Sequence, residues 1–192
     1  MPTDTRRRMI VTTSKLLERQ GFHGTGLNQI LEEANAPKGS MYFHFPGGKT
    51  QLAAEAIAAA ADYIDRALRM HEGGSAIEAI DGYLGQMAAW LESTEFSGGC
   101  PIATTALEVG ASTPELGDAC EAAFDRLISR ITGWLEADGF DSETARARAT
   151  LVYSAIEGAL IFSKARRSSD PLGQLRGELR RLIGSPAHVV KG

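Results

Sequence analysis

The chain has 192 residues, 43% of them hydrophobic and 23% charged, and a net charge of −4. That length can bury a full core in one or two small domains, and a negative balance argues against a generic nucleic-acid coat. The longest apolar block, Ala56 to Ala61, is far short of a membrane span, and no apolar region follows the early arginines, so neither insertion nor export is expected.

A first helix is expected from Thr5 to Gln20, with Ile10, Thr13, Leu16 and Leu17 inward, Arg6, Arg7, Lys15 and Arg19 outward, and Gly21 as its stop. Thr25 then stands where an N-cap hydroxyl would serve, ahead of Leu27, Ile30, Leu31 and Ala34 at the spacing of one buried helical face. Asn35 tolerates the left-handed backbone that ends a helix, and Pro37 fixes φ where a new first turn begins. The segment that follows, Lys38 to Phe45, puts Met41 and Phe45 on one face and leaves Lys38, Ser40, Tyr42 and His44 to spread over the others. Two short helices joined by a tight turn form the unit that places its second helix in the DNA major groove.

Beyond it, Gln51 to about His71 is rich in strong helix formers and ends before Gly73-Gly74, reading as a strut between two domains. Ser75 caps a helix carrying Ile77, Ile80, Leu84, Met87 and Leu91, with Trp90 beside them. Ser97-Gly98-Gly99 breaks the chain, Cys100-Pro101 opens a short helix to about Val109, and Ser112 to Glu115 opens the next, which runs to Asp138-Gly139. Asp141 or Ser142 caps a long helix through Lys164, and Pro171 begins a last one with Leu172, Leu175, Leu179 and Leu182 on one stripe. The run Leu151 to Phe162 is apolar nearly all round, so two sides must be covered. With small Ala155, Gly158 and Ala159 inviting close approach, this helix and the last one are expected to build a four-helix homodimer interface. No strand is expected anywhere.

The residues Gly21-Phe22, Thr25, Ile30, Lys38-Gly39-Ser40-Met41-Tyr42-Phe43-His44-Phe45 and Lys49 resemble the signature of TetR-family transcriptional repressors. Asn35 and Pro37 depart from the Gly and Ser more usual there, and the loop Pro46-Gly47-Gly48 is one residue longer than the common form. The stretch Gly99-Cys100-Pro101-Ile102-Ala103 also resembles one found in the drug- and flavonoid-responsive LmrA/QacR-like branch.

The resemblance implies an all-α protein: a three-helix helix-turn-helix domain over residues 1–49 and a ligand-sensing, dimerising helical domain over 50–192. Its implied partners are a double-stranded DNA operator, a small, largely apolar effector and a second copy of the chain, in the cytoplasm and with no membrane. Release from a palindromic operator by that effector is the function expected. The rival reading is an activator, or a regulator controlled by a protein partner. DNA contacts would run through Lys38, Gly39, Ser40, Tyr42 and His44, with Thr25 and Lys49 gripping phosphates and Arg6, Arg7 and Arg8 as further candidates. The charge distribution fits: residues 1–49 hold seven Lys/Arg against four acids, +3, and the remainder carries −7. An effector pocket is expected among Met87, Trp90, Leu91, Phe96, Cys100, Phe124, Ile128, Tyr153 and Phe162, with Glu157 as polar anchor.

Catalysis is not expected, and no cofactor or metal is implied. Gly48-Lys49-Thr50 ends like a phosphate-binding loop, but the earlier glycine it needs falls at Phe43. Gly24-Thr25-Gly26 begins like a dinucleotide fingerprint whose third glycine falls at Gln29. His23, His44, His71 and His188 are scattered, and Cys100 and Cys120 have neither paired nor CxxC spacing. A cysteine at a helix start, as Cys100 is, has the setting for a reactive thiol, although a small buried hydrophobe is its commoner role.

Overall fold

The computed structural model describes residues 2–109 and 112–183; His188 lies outside them. All regular structure among the described residues is helical: α1 Pro2–Gly24, α2 Leu27–Glu33, α3 Ser40–His44, α4 Gly48–Arg69, α5 Ala76–Ser93, α6 Pro101–Val109, α7 Pro114–Ala137, α8 Ser142–Arg166 and α9 Asp170–Ile183. None of these helices is long and apolar enough to cross a membrane.

Local chemistry sets most of the boundaries. Gly21, at φ 71° and ψ −177°, interrupts α1 in a conformation that only glycine adopts readily. Asn35 takes the left-handed φ of 48° that ends α2. Ser75 and Glu78 form a reciprocal capping box at the start of α5. The Asp141 carboxylate accepts the Thr144 N–H at 3.0 Å to start α8, which closes on left-handed Arg167 at φ 51°.

The chain divides into two compact units. The first comprises Met1–Ile64 with Gly99–Asp125, the second Asp65–Gly98 with Arg126–Gly192, so α4 and α7 each contribute residues to both. In the first, α1 packs along α6 and against α2. A cluster of Met9, Leu16, Ile30, Leu31, Ala34, Met41, Phe45 and Leu52 forms its helix-turn-helix core. The inward stripe of α1 is Met9, Thr13, Leu16 and Leu17, with Ile10 only half-buried at its edge. Met9 continues the Thr13–Leu16 line at four-residue spacing, which displaces Ile10 from the inward position expected of it.

In the second unit, α9 packs on α5 and α8. Asp65, only 1% exposed, accepts hydrogen bonds from Arg69 at 2.9 Å, Arg126 at 3.3 Å and Arg130 at 2.8 Å. Burial pushes its pKa up, but the hydrogen bond and charge of Arg130, with the hydrogen bonds from Arg126 and Arg69, outweigh that and hold the carboxyl below its usual range. Helix α8 has two apolar sides, of which the chain itself covers one. Val152, Tyr153, Ile156, Ala159 and Leu160 are buried, while Leu151, Ile161 and Phe162 are exposed on the opposite face.

Candidate nucleic-acid interface

The interface is built on α2, a tight turn and α3. Arg8 on α1 braces the end of α2, donating to the carbonyls of the C-cap Ala34 at 2.9 Å and of Asn35, the residue after it, at 3.1 Å. The first is an orphan acceptor at a helix end, which a guanidinium satisfies well. The turn through Pro37 then presents Gly39 and Ser40, with the Ser40 hydroxyl and amide both donating to the Pro37 carbonyl, at 2.6 and 2.9 Å. Met41 and Phe45, 2% and 0% exposed, anchor α3 to the core. Lys38, Gly39, Tyr42 and Phe43 are exposed around it, and Ser40 and His44 are half-buried.

Thus the expected docking pair is docked, and five expected readers, Lys38, Gly39, Ser40, Tyr42 and His44, come together on or beside one short helix. Phe43, which the sequence reading did not place among the DNA contacts, is 75% exposed, opposite Met41 and Phe45 on the helix.

Two expected phosphate grips are turned inward. Thr25 does not cap α2, because Gly26 holds that position in an extended conformation. Thr25 is 1% exposed, and its hydroxyl donates to the Gly21 carbonyl at 2.6 Å, closing the bend after the first long helical run. Lys49 donates from Nζ to the Phe22 carbonyl at 2.6 Å and lies 4.1 Å above the Phe22 ring. Burial lowers its pKa, and the nearby Glu108 charge acts in the opposite direction. The N-terminal arginines are likewise employed internally: Arg6 pairs with Glu55 and lies over the Phe45 ring, and Arg8 pairs with Asp4 besides capping α2. Arg7 is exposed.

The frame beneath is fixed from α6. Glu18 on α1 accepts the Gly99 N–H at 3.0 Å, and Glu108 near the end of α6 accepts the His23 N–H at 2.9 Å. A Cβ at Gly21 would lie 1.7 Å from a Glu108 oxygen. So the glycine that breaks α1 also admits the carboxylate that holds the break.

Of the residues expected around an effector, Leu91 and Tyr153 are buried in the second unit, where Met87, Trp90, Phe96, Ile128 and Glu157 are half-buried. The Trp90 ring lies against Gly98, where a Cβ would stand 2.3 Å from it. Phe162 is not a core residue: it is 58% exposed, with the Arg166 guanidinium 5.7 Å from its ring centre. Cys100 and Phe124 belong to the first unit. Cys100 is buried, with the Ala103 N–H directed at its sulfur at 3.5 Å, and burial pushes the Cys120 thiol up to about 11. A cleft of about 380 Å³ in the second unit is lined by Glu72, Gly73, Gly74, Ala79, Ser129, Arg130, Gly133 and Trp134, none of them an expected pocket residue.

The family description "Bacterial regulatory proteins, tetR family" matches residues 10–56, and "Transcriptional regulator LmrA/YxaF-like, C-terminal domain" matches residues 76–178. The chain is 34% identical to the HTH-type transcriptional regulator LmrA of Bacillus subtilis, over 88% of this chain and 91% of that one. It is equally 34% identical to an uncharacterized HTH-type transcriptional regulator of Mycobacterium tuberculosis, over 93% of each. A solved TetR transcriptional regulator from Legionella pneumophila shares the fold at a TM-score of 0.81 and 21% identity, covering 92% of this chain and 95% of that one.

Proposed function

The chain belongs to the TetR family of bacterial transcriptional regulators, with an LmrA/YxaF-like C-terminal domain, and from that premise we propose that it is a cytoplasmic, ligand-released repressor acting as a homodimer on palindromic operator DNA. The family is one of regulators, not of enzymes. Residues 1–49 enter the DNA and residues 50–192 dimerise and bind the effector. The observation that carries the reading is the division of α3 into an anchored side, Met41 and Phe45, and an outer side bearing Tyr42 with Lys38 and Gly39 beside it. A helix held this firmly at one side and bare at the other is suited to a groove.

The dimer face is the outer side of α8, where Leu151, Ile161 and Phe162 flank Gly158, together with Leu182 of α9 at 45% exposed. Two copies joined there set two α3 helices on half-sites one DNA turn apart, roughly 34–36 Å. A small, largely apolar effector lodges among Met87, Trp90, Leu91, Phe96, Ile128 and Tyr153, with Glu157 as its polar anchor, and shifts that separation. Coupling of this kind is about 1–3 kcal/mol, a change in operator affinity of about five- to 150-fold.

The test is a mobility shift on a duplex selected by the purified protein from a random pool, repeated in the presence of apolar drug-like compounds. Binding of one dimer per palindrome, and release by some of these compounds but not by simple salts at equal ionic strength, is the expected result. Binding that no compound alters, but that a protein partner abolishes, would replace the effector reading with partner control.

A further inference from the structure

We propose that Phe43 is a specificity-determining residue that reads the C5 methyl group of a thymine in each operator half-site. The inference rests on the reading of α3 as the helix that enters the groove, and goes beyond it by assigning one residue to one chemical group. Burial of Met41 and Phe45 fixes the rotation of α3 about its axis. At about 100° per residue, the direction opposite that pair belongs to Gly39 and Phe43, four residues apart on one line.

Phe43 therefore stands at the outermost edge of the helix. It is 75% exposed, more than any other Phe, Tyr or Trp among the described residues. Its ring meets the neighbouring His44 ring edge-on, with centroids 4.9 Å apart, which restricts its swing without covering it. Gly39 offers no side chain on the same line, and nothing lies within 4 Å of where its Cβ would be. A helical side chain leans toward the N-terminus, so the space over Gly39 lies next to the ring and is open to a small group.

A phenyl ring can neither donate to a phosphate nor pair with the polar edge of a base. The apolar feature that a base displays in the major groove is the thymine methyl, which distinguishes T from C as well as from the purines. Tyr42 beside it has a hydroxyl for polar contacts. Phe43 has only surface to bury, and a methyl group is the partner that surface fits.

The experiment replaces thymines one at a time by uracil, which deletes the methyl and keeps every hydrogen-bonding group, in the duplex selected from a random pool by the wild-type protein. Loss of one methyl contact should weaken binding by about fourfold at the position that Phe43 reads. With Phe43→Ala that penalty should vanish, and with Phe43→Leu part of it should remain. Both variants should keep the wild-type thermal midpoint, because the replaced ring packs on nothing in the core. Equal affinity for thymine and uracil at every position, or an undiminished penalty in Phe43→Ala, would overturn the assignment while leaving DNA binding intact. Failure of the wild-type protein to retain any duplex at low salt would instead remove the reading beneath it, and the assignment with it.

Discussion

Gly21 is the residue at which backbone and side-chain demands coincide. Its φ of 71° already disfavours any other residue, and a Cβ would collide with the Glu108 carboxylate. Gly21→Ala should therefore cost about 1–3 kcal/mol in urea unfolding. Glu108→Ala made in the same chain should return the collision's share, leaving the backbone's share and the loss of the Glu108 tie to the His23 N–H. Tyr42 and Lys49 make an opposed pair. Tyr42→Ala, at a side chain 67% exposed, should cut operator affinity and leave the thermal midpoint alone. Lys49→Ala removes the tie to Phe22 and should lower the midpoint by about 2–4 °C for each kcal/mol lost. Asp65 supplies a pH dependence. Its folded pKa lies below the unfolded value, so its contribution is fully present above the ordinary carboxylate range and is lost as pH falls through that range toward the folded pKa. Asp65→Asn should remove this acid-side loss, measured as unfolding free energy against pH, and destabilise the chain near neutrality.

Among the helices, what was legible in the sequence was whatever is decided locally. The Ser75 and Asp141 caps, the Asn35 turn, the break at Gly21 and the Pro101 and Pro114 starts all depend on residues within a few positions of one another. The Met41–Phe45 anchor follows from four-residue spacing. What could not be read depends on partners far along the chain. Glu55 claims Arg6 across 49 residues, Phe22 claims Lys49 across 27, and α6 holds the bend after Gln20 through Glu108, 85 positions from His23. Periodicity does not encode such pairings, so the internal ties of Arg6 and Lys49 could not be read from spacing alone. The exposure of Phe162 has a related reason: an all-round apolar helix does not say which of its sides the chain itself covers. The side left open carries a prediction of its own. Ile161→Arg, on the exposed face of α8, should convert the dimer to monomer in sedimentation velocity with the helical content retained. A dimer unaffected by that change would place the interface elsewhere.

At the scale of the whole molecule, a protein with net charge −4 is proposed to bind a polyanion through its first 49 residues, in two matched copies. That asymmetry has a consequence for salt. Each phosphate neutralised releases counterions, so the logarithm of affinity should fall linearly with the logarithm of salt concentration, by about 0.9 per contact. The most direct measurement is sedimentation of the purified protein with a selected palindromic duplex across a series of salt concentrations. One dimer per palindrome and a straight, negative salt dependence, with half-palindromes bound far more weakly, is the expected result. A protein that sediments as a monomer and leaves the duplex free even at the lowest salt would contradict it.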